Sequence, residues 1–314
     1  MGKPLFLLIG PTAVGKSNVS IEIAKKLNGE IISADSMQVY KYMDIGTAKL
    51  KKKEMDGIKH YMIDVVYPDE DFSVAVFRDK AKEYIDDILS RGKLPMVVGG
   101  TGLFVNSLTH NLDFSSTICD WEFRNRLNQL AEINGNEYVH NMLKDVDKES
   151  FERLHVNDLK RVIRALEVYK YSGKTISEYQ RESKLIPIEY DTCIVGLTMD
   201  RKKLYDRINK RVDIMMEKGL LDEVKNLLNM GYSKDLVSMQ GLGYKEMVSY
   251  TEGSLSMDGA IDKLKQSTRH FAKRQLTWFR REDNIYWVNV DEFNNIQDIS
   301  QNIVTYIKGK LSTI

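Results

Sequence analysis

The sequence predicts an open, mainly parallel α/β sheet flanked by helices and carrying an all-helical insertion. Short apolar runs alternate with long helical patterns through the first hundred residues, the signature of a parallel sheet. From 113 to 190 the alternation stops and only helical periodicity remains. At 192 the strand pattern resumes. The core is therefore expected over 1–112 and 191–314, with a helical insertion over 113–190. The 314 residues, 42% hydrophobic, suffice for a large core, and at roughly 100–200 residues per domain they fit this division.

Taken in order, the apolar run 5–9 reads as the first strand, and the helical pattern 15–27 follows it. Strands are expected at 30–33, 61–65 and 95–98, with a helix over 74–91 before the last of them. Within the insertion the periodicity gives helices over 121–133, 137–144, 157–171 and 175–182. A strand over 192–198 returns the chain to the sheet. Helices over 201–218, 220–230 and 261–281 precede a last strand at 285–290 and a closing helix. Trp121 and Tyr205, at helical spacing, are expected in the core.

Composition narrows the function classes. Lys+Arg 46 against Asp+Glu 45 leaves almost no net field, so a nucleic-acid partner must be held by local basic patches. Cys119 and Cys193 form no CxxC pair, which argues against a disulfide scaffold or a zinc module and suits a reducing compartment. His110, His140 and His155 lack ligand spacing. The run 5–9 is too short for a signal peptide, and no stretch approaches the roughly 20 apolar residues of a membrane span. Phe6 stands where a myristoylation signal after Gly2 needs Ser or Thr. The expectation is a soluble, cytoplasmic protein without an obligate protein partner.

The strongest motif is Gly10, Pro11, Thr12, Ala13, Val14, Gly15, Lys16, Ser17, which fits G-x-x-x-x-G-K-[ST] between a strand and a helix. Its glycines turn backbone N–H groups inward as an anion nest at a helix N-terminus. Lys16 is expected to neutralise terminal phosphate oxygens and Ser17 to hold Mg²⁺. The core is then a P-loop NTPase-like sheet. The motif specifies a phosphate chain without specifying its owner.

Ligands of open α/β sheets bind beyond the carboxyl ends of the strands, where three polar clusters fall. These are SADSMQVY (33–40), DIGTAK (44–49) and GGTG (99–102). Asp35 in the first is a candidate metal ligand or general base, or else a helix N-cap. The glycines around Thr101 mark a loop where a ligand approaches backbone.

At these residues the chain resembles the tRNA dimethylallyltransferase (isopentenyltransferase) family. GPTAVGKS, SADSMQVYKYMDIGTAK, GGTGLF, QGLGYKE (240–246) and TRHFAKRQLTWFR (268–280) stand in that family's order and bracket the insertion. Leu50, Phe104, Gly241-Leu242 and Leu159 depart from its usual pattern without removing a charged or nucleophilic group, and two isolated cysteines exclude the zinc finger of its eukaryotic branch. The resemblance implies transfer of a dimethylallyl group from its diphosphate to the exocyclic amine of adenosine 37, beside the anticodon. It implies Asp35 as the carboxylate that orients that amine and takes its proton, and Thr101 beside it. It also implies Lys16, with Mg²⁺ at Ser17, on the leaving diphosphate, together with an arginine clamp. Arg211 and Arg207 both fit that clamp, Arg211 being preferred. Asp35, Ser36, Met37, Gln38 and Thr101 are the implied tRNA contacts at the reacting base.

The rest of the anticodon stem-loop needs basic surface, and two tracts supply it. Residues 153–184 hold eight Lys/Arg against four Asp/Glu, and among them Lys160, Arg161 and Arg164 match a tRNA-contacting stretch of the family. Residues 269–281 hold five Lys/Arg and no carboxylate. At roughly 100° per residue, Arg269, Lys273, Arg274, Arg280 and Arg281 fall within an arc of about 140°, opposite Phe271, Ala272, Trp278 and Phe279. The bland reading of both tracts is solvated helix surface, and Lys51 to Lys53 read as loop surface. Three rivals share the cradle: a P-loop small-molecule kinase, a prenyltransferase of free adenine nucleotides, and an RNA-binding protein that uses a nucleotide as a switch.

Overall fold

The computed structural model describes residues 2–110, 120–186 and 188–311. Cys119 and the expected boundary at 112/113 lie outside the described residues. In chain order the elements are β1 (Lys3–Ile9), α1 (Lys16–Leu27), β2 (Gly29–Ala34), β3 (His60–Tyr61), α2 (Val74–Ser90), β4 (Leu94–Gly99) and α3 (Gly102–Thr109). Then come α4 (Trp121–Asn134), α5 (Asn136–Asn141), α6 (Lys148–Arg153), α7 (Leu159–Ser172) and α8 (Ile176–Leu185). The chain finishes with β5 (Tyr190–Thr198), α9 (Arg201–Glu217), α10 (Leu220–Asn229), α11 (Tyr244–Thr251), α12 (Met257–Phe279), β6 (Ile285–Asn289) and α13 (Ile296–Lys310).

All six strands are parallel, in the order β3-β2-β4-β1-β5-β6. Helices cover both faces, so the inner strands are apolar on both sides, as in the run Leu5 to Ile9 of central β1. One face buries Phe6, Leu8, Ile31, Met96 and Val195 under α1 and α13. The other buries Leu7, Ile32 and Val97 under α2 and α3, with Phe77 and Ile85 of α2 packed in the same cluster.

The chain divides into two compact units, Met1–Thr109 with Glu189–Ile314, and His110–Ile188. The first contains the sheet. The second is helical among its described residues, around Leu127, Val139, Leu143, Val162 and Ile163. Three of its helix starts, those of α4, α6 and α8, are fixed by side-chain caps: Asp120 accepts from Phe123 N, Asp147 from Ser150 N, and Thr175 closes a capping box with Glu178.

Some expectations are corrected. The strand expected at 61–65 is only β3, because Met62 (φ 62°) and Asp64 (φ 55°) take left-handed backbone that ends it. Helices α3, α6 and α11, each eight residues or fewer, escaped a periodicity that needs longer windows. Trp121, expected in the core, is 65% exposed at the first turn of α4, while Tyr205 does pack against the sheet core.

Candidate active site at the carboxyl edge of the sheet

Parallel strands deliver all their carboxyl ends to one edge, and there a cavity of about 330 Å³ opens. Thr12, Ala13, Gly15, Lys16 and Ser17 line it from the loop after β1. Asp35 and Gln38 enter after β2, Gly99 and Gly100 after β4, Arg207 and Arg211 from α9, and Phe271 and Gln275 from α12. The elements that converge are far apart in sequence, yet each cluster at a strand end contributes.

The loop from 10 to 17 is shaped by backbone that side chains resist. Gly15 has φ 108° and Ala13 has φ 66°, which turns the chain sharply before α1 begins at Lys16. The Lys16 ammonium folds over this loop, donating to the carbonyls of Gly10 (2.8 Å) and Pro11 (2.9 Å). Burial lowers its pKa to about 7; Asp35 opposes that fall and Arg211 adds to it. Arg211 is likewise pushed down, first by burial and then by Arg207, with Asp35 opposing. The guanidinium groups of Arg207 and Arg211 donate no hydrogen bond to another described residue. Against one carboxylate, Asp35, the cavity sets three basic side chains, Lys16, Arg207 and Arg211. Such a wall favours an anion.

Asp35 sits where its turn can hold it. Its Oδ1 accepts from Met37 N at 2.9 Å and, more weakly, from Gln38 N at 3.4 Å, closing the turn 35–38. Ser36 N donates to Thr101 Oγ1 at 3.1 Å, so Thr101 ties this turn to the loop after β4. The Ser33 hydroxyl donates to Gln38 Oε1, and the Gln38 amide donates to the carbonyl of Thr47. Gly99 must be glycine, because a Cβ there would lie 2.2 Å from the carbonyl oxygen of Ala34. Asp35, Ser36, Gln38 and Thr101 are thereby brought together at one edge, and Met37 packs beside them with Gly241.

The basic tracts divide differently. On α12, Lys273 and Arg274 face out while Ala272 and Phe279 are buried, and Arg280 and Arg281, just past its end, are exposed. Arg269 is half-buried, donating to Asn209 Oδ1 on α9 at 2.6 Å. In the helical unit Lys160 and Arg161 are exposed at the start of α7, Arg161 pairing with Asp158. Arg164 instead pairs at 2.6 Å with the buried carboxylate of Glu167, which Arg124 also grips. His140 donates from Nε2 to the Leu154 carbonyl at 2.9 Å and packs on Phe151, a structural role.

Three site-building residues are not singled out by sequence reasoning: Glu223 stands in no motif, and Lys49 and Gln275 stand within DIGTAK and TRHFAKRQLTWFR without being marked there. Gln275 lies inside the basic stretch of α12 but points the other way, into the cavity. Glu223 accepts from the backbone N–H groups of Asp44, Ile45 and Gly46 and from the Tyr244 hydroxyl, anchoring the loop after 43. Lys49, its side chain buried, donates to Tyr40 O, Asp44 and Asp64.

The IPP transferase family model matches residues 38–282. This chain belongs to the IPP transferase family. A relative from Acetivibrio thermocellus named tRNA dimethylallyltransferase is 58% identical over 303 residues, covering 96% of this chain and 97% of that one. Another of that name, from Alkaliphilus oremlandii, is 52% identical over 314 residues, the full length of both. The solved tRNA isopentenylpyrophosphate transferase of Bacillus halodurans is 44% identical, with TM-score 0.74, over 99% of this chain and 97% of that one. The P-loop and Asp35 lie ahead of the stretch that the IPP transferase model matches, and within the span shared with the Alkaliphilus relative.

Proposed function

We propose that this protein transfers the dimethylallyl group of dimethylallyl diphosphate to the exocyclic amine of adenosine 37 in tRNA. The observation that carries the reading is the cavity that joins a cationic phosphate cradle to Asp35. Its full-length relatives named tRNA dimethylallyltransferase support it, as does a eukaryotic dimethylallyltransferase acting on tRNA whose structure aligns with TM-score 0.77 at 31% identity. A cytoplasmic location follows from the substrate.

In this reading Lys16 and Arg211, with Arg207 at the mouth, hold the diphosphate as a leaving group. The allylic C–O bond breaks, its electron pair leaving with the diphosphate, while the adenine nitrogen forms the new C–N bond. That nitrogen is a poor nucleophile, its lone pair being delocalised into the ring. Asp35 orients the amine and accepts the proton it loses. Thr101, by fixing Ser36, keeps the Asp35 turn in place. Mg²⁺ fits this donor set: the Ser17 hydroxyl stands exposed at the cradle, and no cluster of three acidic, His or Cys residues occurs among the described residues to claim a different metal. When bound at Ser17 and phosphate oxygens it would neutralise charge on the departing diphosphate.

The target base must leave the anticodon loop stack to reach Asp35. We assign phosphates of the tRNA to the exposed cations of α12, Lys273 and Arg274 with Arg269 behind them, and, separately in the helical unit, to Lys160 and Arg161 of α7; Arg164, held by buried Glu167, supports α7 instead. Ser36, Met37, Gln38 and Thr101 would meet the extruded nucleotide.

The deciding experiment incubates the protein with Mg²⁺, radiolabelled dimethylallyl diphosphate and unmodified tRNA, beside a reaction given AMP or ATP instead. Label in tRNA, lost when adenosine 37 is replaced, is the expected result. Label only in the free nucleotide would overturn the choice of acceptor, and label in neither would overturn prenyl transfer.

A further inference from the structure

We infer that Gln275 is a positioning residue for this transfer, its side-chain amide setting the distance between the diphosphate cradle and the loop that carries the acceptor groups. The inference rests on the prenyl-transfer reading of the cavity. Gln275 projects from the C-terminal part of α12, is 6% exposed, and is flanked on its helix by buried Ala272 and Phe279. Its Oε1 accepts from the backbone N–H of Thr12 at 2.8 Å, inside the phosphate loop. Its Nε2 donates to the carbonyl of Gly100 at 3.0 Å, one residue before Thr101. Thr101 in turn accepts from Ser36 N, beside Asp35. One rigid amide therefore stands between the two halves of the reaction, and only two further links reach the carboxylate.

The chemistry of both partners fixes the residue type. A backbone N–H can only donate and a backbone carbonyl can only accept, so the bridge needs an acceptor and a donor on one planar group. Glutamate would place an oxygen against the Gly100 carbonyl, and an aliphatic chain would leave both backbone groups unpaired. The approach is close enough to dictate a neighbour: a Cβ on Gly100 would lie 2.1 Å from Nε2. An in-line displacement depends steeply on the separation of nucleophile and leaving group. A spacer that fixes this separation touches neither reactant, yet acts on the rate.

The test uses the full chain carrying Gln275→Met, which keeps length without polarity, and Gln275→Glu, which keeps the acceptor and loses the donor. Steady-state transfer from dimethylallyl diphosphate to tRNA is measured beside the thermal midpoint. The expected result is a kcat lowered about 30- to 100-fold, with both KM values within about threefold and the midpoint above the assay temperature. A kcat within threefold of the unaltered protein in either folded variant would overturn the inference. So would a rise in KM at unchanged kcat, or unfolding of both variants, which would make the amide a support of the fold alone. Absence of transfer by the unaltered protein would instead sink the prenyl-transfer reading, and this inference with it.

Discussion

At the scale of single residues, Asp35 shapes backbone and, in the proposed reaction, also acts on the acceptor amine. Its Oδ1 closes the turn onto Met37 N, so replacing it with alanine disturbs geometry as well as chemistry. Asparagine keeps an acceptor at that position while losing the negative charge. Turnover is expected to fall about 10³-fold in both Asp35→Asn and Asp35→Ala, with tRNA affinity in a filter-binding assay little changed. Near-normal turnover in Asp35→Asn would remove proton acceptance from this residue and leave it a turn-former. The preference for Arg211 over Arg207 has a physical basis in the fold. Arg211 is the more buried of the two, and a desolvated guanidinium without a hydrogen-bonding neighbour gains most from an arriving anion.

At the scale of elements, the two ends of the strands do different work. At the amino ends, buried Glu30 of β2 takes a bidentate pair from Arg91, and further bonds from Lys93 and the Tyr61 hydroxyl. These hold its pKa down to about 2, Arg91 being the largest cause and burial opposing it. The folded value lies below the unfolded one, so the stabilisation is present above about pH 4.5 and is lost as pH falls toward 2. Glu30→Gln is expected to cost about 2 kcal/mol at pH 7, after allowing for partners that are one-third exposed, and to flatten the acid limb of urea-unfolding stability over that window. An unchanged limb would show that the network contributes nothing to folding. In the helical unit, Arg164 belongs to the same class of buried-carboxylate pairing as Arg91.

At the scale of the whole molecule, 46 cations against 45 carboxylates cannot attract RNA at long range, so tRNA binding must rest on exposed local cations. Arg161→Ala and Arg274→Ala are each expected to weaken tRNA binding and to lower the slope of log K against log salt by about 0.7–0.9 for each phosphate no longer neutralised. Unchanged slopes in both would return these faces to ordinary solvated surface. Arg164→Ala should behave differently, lowering thermal stability because Glu167 keeps one guanidinium fewer. Calorimetry beside the binding assay separates the two effects.

Read by itself, the sequence determined the parallel core, since six strand runs and their intervening helices are local patterns of burial that each segment states on its own. It also determined the cradle and the acidic turn, because Gly10 to Ser17 and Ser33 to Tyr40 are contiguous motifs whose backbone demands are written in their residue types. Only the tertiary structure decided which distant side chains complete the cavity. Gln275 sits among cations on α12 and is set apart from them only by the face it buries. Glu223 becomes an anchor only when α10 meets the loop 44–46. It also decided the fate of Trp121 and Arg164, whose spacing alone suits either a packed or an exposed position. Periodicity says which residues share a face of a helix, but what that face meets is fixed by packing between elements far apart in the chain.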